Sequence, residues 1–217
     1  MSRIVVFGGG GKAGRLIAQE ARRRGHDVVS VVRDPAKYGD LSVDGTTVVG
    51  GDVTDGEQVA EIVAGADVVV NAIAPAGDTV PRDAFVGAAD ALVAGLAKNG
   101  TGRLLSIGLA ATLNVAPGTR LMDTPEFPAD YRPFADGHAA ALEFLASADA
   151  AVDWVVLVPP LEFQPEGERT GSYRLGDTGL LTDADGNSRI SYADFAIAVL
   201  DEAEQNRHHR ATLAVAY

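Results

Sequence analysis

The amino-acid sequence predicts an α/β fold: a Rossmann-type, doubly wound and mainly parallel sheet of about seven strands, with helices on both faces. Two features support this prediction. Continuous apolar runs rich in valine alternate with helical patterns along the 217 residues, as expected for buried parallel strands. The first run, IVVF at residues 4–7, leads into a turn with five glycines among residues 8–14, and a helical pattern follows that turn.

Each element is predicted from its local pattern. The strands are predicted over residues 4–7, 28–32, 46–49, 68–70, 103–107, 154–158 and 212–215. The helices are predicted over residues 13–25, 57–64, 84–98, 135–148 and 192–204. The first helix shows clear end signals, because Arg22, Arg23 and Arg24 suit the negative end of its dipole and Gly25 is a natural stop.

Two longer stretches interrupt this alternation. Residues 113–133 are rich in proline, aspartate and threonine, and residues 161–187 are rich in glycine, glutamate and aspartate. Both follow the carboxyl ends of predicted strands, where ligands bind in open α/β sheets. We therefore expect a single domain over residues 1–217, with these two stretches as substrate-side loops.

The composition excludes several classes of function. The formal net charge of −12 argues against binding to nucleic acids or anionic membranes, since both need a basic surface. The chain has no cysteine, which excludes disulfides, thiolate catalysis and cysteine-ligated zinc, and its four histidines lack the spacing of a metal site. No signal-like or membrane-spanning segment is recognisable. We expect a cytoplasmic monomer or homodimer whose partner is a small molecule.

The glycine-rich turn predicts a dinucleotide site. Gly8, Gly11 and Gly14 are spaced three apart between a strand and a helix, and Gly9, Gly11 and Gly14 also satisfy the G-x-G-x-x-G form. Such glycines permit a tight bend, close approach of the backbone to a pyrophosphate, and close packing of helix on strand. The alternative is a flexible loop that binds nothing. The predicted contacts in this turn are Gly8, Gly10, Gly11, Lys12, Ala13 and Gly14.

The end of the second strand predicts which dinucleotide binds. A carboxylate there would accept hydrogen bonds from the ribose of NAD, but this chain has Arg33, whose guanidinium suits the 2′-phosphate of NADP. Lys37 and Lys12 add positive charge nearby. Asp34 is expected to cap the turn before Pro35 rather than to face a phosphate. We therefore expect NADP(H) to be preferred over NAD(H), the alternative being ordinary surface charge.

Two further strand ends contribute candidate cofactor contacts. Asp52 and Val53 follow the third strand, where the carboxylate of Asp52 is placed to accept a hydrogen bond from an adenine amino group. A cap on the helix that begins near Gly56 is the structural alternative for Asp52. The fourth strand ends in small residues that let a cofactor lie close, namely Asn71, Ala72, Ile73 and Ala74.

The pattern as a whole resembles a known family. The runs "FGGGGKAGRLIAQEARRRGHDVVSVVRDPAK", "GDVTD", "NAIA", "LLSIG", "VDWVVLVPP" and "SRISYADFAIAVLDE" look like an atypical short-chain dehydrogenase/reductase. More narrowly, they resemble the NADH-flavin reductase group related to biliverdin-IXβ/flavin reductase. The resemblance spans nearly the whole chain. It implies NADP(H) bound across the carboxyl edge of the sheet, with Ser106-Ile107-Gly108 and Pro159-Pro160 flanking the nicotinamide.

One departure from the wider family bears on mechanism. Carbonyl-reducing short-chain dehydrogenases use a tyrosine followed four residues later by a lysine, which lowers the pKa of the tyrosine so that it can pass a proton. None of Tyr38, Tyr131, Tyr173 and Tyr192 has a lysine at that spacing. Alcohol–ketone chemistry by that route is therefore not expected. Hydride transfer to a flavin or quinone-like ring needs less, since the ring delocalises the charge and water supplies the proton.

Three residues are candidate catalytic groups. Ser106 ends the fifth strand, Tyr131 lies in the first substrate-side loop, and His138 begins the following helix as a candidate proton donor. For each, a structural role is the alternative: a hydroxyl satisfied by the backbone, a half-buried loop tyrosine, or a core histidine.

Two functions agree with these features. The first is an NADPH-dependent reductase of a flavin, quinone or related conjugated acceptor, with flavin as a substrate and not as a bound prosthetic group. The second is a non-catalytic NADP(H)-binding redox sensor that signals through a protein partner. The compact chain favours the enzyme.

Overall fold

A central eight-stranded sheet organises the structure, a computed structural model that describes residues 1–75, 82–100, 102–148 and 152–217. Its strands, in spatial order, are β10 (Arg174–Gly176), β12 (Ala211–Ala216), β8 (Asp153–Val158), β5 (Arg103–Ile107), β4 (Val68–Asn71), β1 (Arg3–Phe7), β2 (Asp27–Val32) and β3 (Thr47–Gly50). All neighbours are parallel except β10 and β12.

The helices form a layer on each face of the sheet. They are α1 (Lys12–Arg23), α2 (Gly56–Ile62), α3 (Arg82–Asn99), α4 (Arg132–Ser147) and α5 (Tyr192–Gln205). Alternate side chains of each strand bury against opposite layers, so that Ile4 and Val6 pack with α1 and α5 while Val5 and Phe7 pack with α2 and α3. The predicted Rossmann-type architecture is confirmed.

The order of the strands places a crevice beside β1. The chain runs from β1 outward through β2 to β3, and then returns to the other side of β1 as β4. Where a parallel sheet reverses its direction of growth, the loops at the carboxyl ends diverge and leave a crevice. The glycine turn after β1 and the Asn71 end of β4 flank that crevice, since Phe7 and Asn71 are paired in register.

An eighth strand and two small sheets form within, or directly after, the stretches predicted as loops. Strand β10 pairs antiparallel with β12 at the sheet edge, and β9 (Glu162–Gln164) pairs with β11 (Arg189–Ser191). In the first stretch, β6 (Asn114–Ala116) pairs with β7 (Thr119–Arg120). These strands have three residues or fewer and lack continuous apolar runs. The pairing of β9 with β11 and of β10 with β12 joins segments distant in the chain, which a local sequence pattern does not indicate.

Helix α5 and strand β12 belong to the interior of the chain. Residues 195–200 of α5 are buried against α1 and the sheet, and residues 213–216 of β12 are buried between β8 and β10. These buried faces pack within the chain and are not open for contact with a second copy.

Candidate functional site

A cavity of about 710 Å³ lies at the carboxyl edge of the sheet, at the crevice beside β1. Three strand ends and the glycine turn form its floor. The predicted cofactor residues that line it are Gly11, Lys12, Ala13, Ala72, Ile73, Ala74 and Pro159. Of the three catalytic candidates, Tyr131 and His138 line the same cavity. The structure therefore brings the predicted phosphate turn and two predicted acceptor-side residues into a single space.

Gly8 and Gly14 hold the glycine turn in shape. Gly8 has φ +79°, in the left-handed region that favours glycine, and its backbone NH donates to the Val31 carbonyl of β2 over 3.1 Å. A Cβ at Gly14 would lie 2.2 Å from the Gly8 carbonyl oxygen. Helix α1 therefore starts in direct contact with the turn that precedes it.

Gly11 leaves room for a ligand. A Cβ there would meet only the Gly8 carbonyl oxygen, at 3.3 Å, and the residue lines the large cavity. Gly11 is also the N-cap of α1, and its glycine identity means that no side chain caps the first NH groups of the helix. Uncapped NH groups and the positive end of the helix dipole fit a pyrophosphate. The residues present therefore fit the predicted dinucleotide.

Gly10 lies against the ring of Tyr38 and does not line the large cavity. A Cβ at this position would lie 2.4 Å from the ring of Tyr38, which packs over the turn. Close packing against Tyr38 explains this glycine in the structure. The predicted cofactor contact of Gly10 stays a prediction.

Arg33 is an exposed guanidinium beside the turn. Among the residues that the structure describes, it has no hydrogen-bond or ion-pair partner. Lys37, by contrast, lies 3.2 Å from a carboxylate oxygen of Asp34, and Asp34 also accepts a hydrogen bond from the Ala36 NH. The predicted cap by Asp34 is confirmed. Arg33 is therefore the freer of the two cations for a phosphate.

Asp52 lies close enough to Arg33 for the two charges to interact. Hydrogen bonds from the backbone NH and hydroxyl of Thr54, together with the positive charge of Arg33, hold the pKa of Asp52 below its usual range. Asp52 does not cap α2. The cap is Asp55, whose carboxylate accepts hydrogen bonds from the backbone NH groups of Glu57 and Gln58. Val53 is buried in the core.

A second cavity, of about 40 Å³, adjoins the large one and contains Ser106. Ser106 is 7% exposed and pairs in register with Asn71, and both line this small space together with His138. Ser106 does not line the large cavity. His138 lines both cavities. It therefore shares the small cavity with Ser106 and Asn71, and the large cavity with the aromatic residues.

His138 is held neutral by its surroundings. Its ring centroid lies 4.7 Å from that of Phe85 and 4.9 Å from that of Phe134, and burial lowers the pKa of His138 to about 4. At pH 7 a group with this pKa carries no charge. The role of His138 as a proton donor stays a prediction; with this pKa the group present at pH 7 is a neutral imidazole, which can still make hydrogen bonds.

Acid should destabilise the fold through His138. A folded pKa near 4, below the ordinary 6.5, means that the unfolded chain takes up the proton first as pH falls through 6.5. Between pH 7 and pH 5 this linkage costs roughly 2 kcal/mol of unfolding free energy. We expect H138Q to remove this loss, which urea titrations of both proteins at the two pH values measure. An equal loss in both proteins would contradict it.

Aromatic side chains form the walls of the large cavity. Phe163 and Tyr192 stack with ring centroids 3.6 Å apart and planes 8° apart. Tyr131 lies 5.4 Å from Phe134 and 6.4 Å from Phe127, centroid to centroid. Except for Tyr131, these rings were not among the predicted site residues. The available signal was their concentration around the predicted loops in a chain that is only 6% aromatic.

The two predicted substrate-side loops differ in position. Residues 121–131 supply much of the cavity wall, and their contact with a substrate stays a prediction. From the second loop, Leu161 and Phe163 line the cavity, whereas Arg169 binds Glu20 of α1 and Thr170 binds Asp194 of α5. Residues 169–173 of that loop therefore fasten α1 and α5.

The comparisons with known proteins agree with this geometry. The model of an NAD(P)H-binding family matches residues 8–203. The chain belongs to this family. Protein YwnB of Bacillus subtilis, an uncharacterised relative, is 41% identical over 208 residues, which cover 95% of this chain and 94% of YwnB.

Solved structures of similar proteins cover the whole chain. A Streptococcus pneumoniae TIGR4 protein, provisionally described as an NADH-flavin reductase, has 29% identity and a TM-score of 0.87, with coverage of 100% of this chain and 99% of that one. A Burkholderia pseudomallei protein, provisionally described as exported, has 38% identity, a TM-score of 0.88 and full coverage of both chains. The family match and the flavin-reductase neighbour support an NAD(P)H oxidoreductase.

Two further features of the described residues bear on possible partners. None of the helices there combines the length and the apolar character needed to cross a membrane. No three histidine or acidic side chains in the same part of the chain lie together in a group that could hold a metal ion. The cytoplasmic location stays a prediction.

Proposed function

We propose that the chain is an NADPH-dependent reductase of a conjugated ring acceptor of the flavin or quinone kind. The observation that carries this proposal is the large cavity, in which the glycine turn and a set of aromatic side chains share one space. In the balanced reaction NADPH becomes NADP⁺, and the acceptor gains the hydride and one proton from solvent. We also propose that residues 1–217 act as one domain.

The residues of the turn and the strand ends hold the dinucleotide. The uncapped NH groups of α1 and the ammonium of Lys12 bind the pyrophosphate, and Arg33 binds the 2′-phosphate. Asp52 accepts from the adenine amino group beside Arg33. Ala72, Ile73 and Ala74 present little bulk, so a ring can lie against the end of β4.

The remaining site residues place the two rings and exclude water. Pro159 follows β8 and borders the cavity, and Ser106 lies beneath it with Asn71. The stacked pair Phe163 and Tyr192 and the ring of Tyr131 give a planar acceptor apolar surfaces to pack against. Neutral His138 donates a hydrogen bond to an acceptor oxygen or nitrogen. Placement of the reacting atoms is the main contribution of the chain.

Turnover with a panel of acceptors tests the proposal. Consumption of NADPH at 340 nm, with NADH as the control, would be followed with riboflavin, FMN, menadione and 1,2-naphthoquinone in turn. We expect acceptor-dependent turnover that is faster with NADPH. Tight NADPH binding by calorimetry without turnover on any acceptor would contradict the reductase and favour the redox sensor.

Tyr131 should contribute to acceptor binding. Its side chain is 50% exposed and lies on the cavity wall, so its loss removes ring contacts without opening the core. We expect Y131A to raise the KM for the acceptor about 3- to 10-fold, from an aromatic contact of about 0.5–1.5 kcal/mol, and to leave the Kd of NADPH unchanged. Y131F is the matched control and should keep the KM. An unchanged KM for the acceptor in Y131A would contradict a contact between Tyr131 and the acceptor.

A further inference from the structure

The acceptor half of the large cavity carries no positive charge. Two charged side chains line the cavity as the structure describes it, Lys12 at the glycine turn and Glu126 on the outer loop. Lys12 belongs to the pyrophosphate end. The remaining lining residues are apolar, aromatic or uncharged, apart from His138, which is neutral at pH 7. An acceptor beside the aromatic walls therefore meets one charged lining group, the carboxylate of Glu126.

The two arginines that are next in sequence to residues of this wall, Arg120 and Arg132, are paired with carboxylates. Arg120 donates to Asp123 over 2.7 Å. Arg132 donates to Asp136 over 3.0 Å, to the Met122 carbonyl over 2.6 Å and to Asp123 over 3.4 Å. Neither arginine lines the cavity. To bind an anionic acceptor they would have to leave partners that already satisfy them.

The rest of the chain adds no compensating charge. The segments outside the described residues, 76–81, 101 and 149–151, contain no lysine, arginine or histidine in their sequence. The net charge of −12 also repels anions at long range. Glu126 is exposed, so a phosphate or carboxylate on an acceptor beside it would meet a like charge, with no cation among the acceptor-side lining residues to offset it.

We infer that the acceptor is an uncharged planar ring, such as a neutral quinone or an unphosphorylated flavin, and that Glu126 selects against acceptors bearing a phosphate or carboxylate. This inference rests on the proposed function and specifies its substrate class. Glu126 acts as a specificity residue through its charge and takes no part in the transfer of hydride or proton.

Riboflavin and FMN are matched probes, because they share the isoalloxazine ring and differ by a phosphate. With NADPH at low salt, we expect kcat/KM to be about tenfold higher for riboflavin than for FMN. This ratio of riboflavin to FMN should decrease as salt screens the charge of Glu126. E126Q should narrow the ratio, and E126K should bring FMN to parity or better. E61K, with the same change of charge on exposed α2 away from the cavity, should leave the ratio unchanged.

Flavin fluorescence quenching gives the Kd of both probes independently of turnover. A Kd for riboflavin lower than that for FMN, with a ratio that responds to Glu126 and not to Glu61, supports the inference even if no acceptor is reduced. A lack of turnover with every acceptor would contradict the proposed reductase activity and would leave this inference about binding intact. Equal or tighter binding of FMN by the wild type, or equal effects of E126K and E61K, would overturn the inference and leave the reductase standing.

Discussion

G14A is expected to lose both stability and activity. A Cβ at residue 14 would lie 2.2 Å from the carbonyl oxygen and 2.8 Å from the carbonyl carbon of Gly8, and these are backbone atoms that no side-chain rotation moves away. The turn and the start of α1 must separate to accept the methyl group. We expect a loss of about 2 kcal/mol in unfolding free energy. We also expect kcat/KM for NADPH to fall by about a hundredfold, because the phosphate-binding NH groups are displaced.

G87A is the matched control for G14A. Gly87 lies within α3, and a Cβ there would meet no heavy atom within 4 Å, so the same methyl group is accommodated. Helix propensity predicts a gain of up to about 1 kcal/mol for G87A with unchanged kinetics. Urea unfolding and steady-state kinetics of the two variants measure the contrast. If G14A kept the stability and the NADPH affinity of the wild type, the turn would not require a glycine at residue 14.

R33A is expected to reduce the preference for NADPH over NADH. The Arg33 guanidinium is exposed beside the glycine turn, where the described residues supply it with no ion-pair partner. Charge-assisted hydrogen bonds to a phosphate contribute about 1.5–3 kcal/mol, so the Kd of NADPH should rise about 10- to 100-fold. The Kd of NADH, which has no 2′-phosphate, should change little. Calorimetry with both coenzymes measures the two constants.

R207A controls for the change in net charge. Arg207 is exposed after α5, outside the cavity, so its removal alters the long-range field by the same unit without touching the site. K37A should have a smaller effect than R33A, because Lys37 is already paired with Asp34. An equal rise in the Kd of NADPH and NADH in R33A would remove the assignment of Arg33 to the 2′-phosphate.

The framework of the fold was predictable because it depends on local patterns. Buried strands such as β1 and β4 appear as continuous apolar runs, and the glycines of the turn mark the junction between β1 and α1. Strand β10 was not predictable, because its sequence Arg-Leu-Gly has no strand pattern and its edge position depends on β12. The same holds for the three-residue strand β9.

The lining of the large cavity was predictable where it depends on strand ends, and was missed where it depends on tertiary packing. Ala72–Ala74 and Pro159 reach the cavity because parallel strands end at one edge. The pairing of Phe163 with Tyr192 joins segments 29 residues apart in the chain, and the ring of Tyr38 reaches Gly10 from beyond β2. The neutral state of His138 likewise depends on Phe85, which another helix supplies. None of these contacts leaves a periodic signal in sequence.

Initial rates measured over a grid of NADPH and riboflavin concentrations test the central claim most directly. If the cofactor and the acceptor occupy one cavity at the same time, double-reciprocal plots at different fixed acceptor concentrations intersect. We predict intersecting lines, with catalytic efficiency lower for NADH. Parallel lines would indicate that NADP⁺ leaves before the acceptor binds, which requires a tightly bound redox group and contradicts direct transfer within the shared cavity.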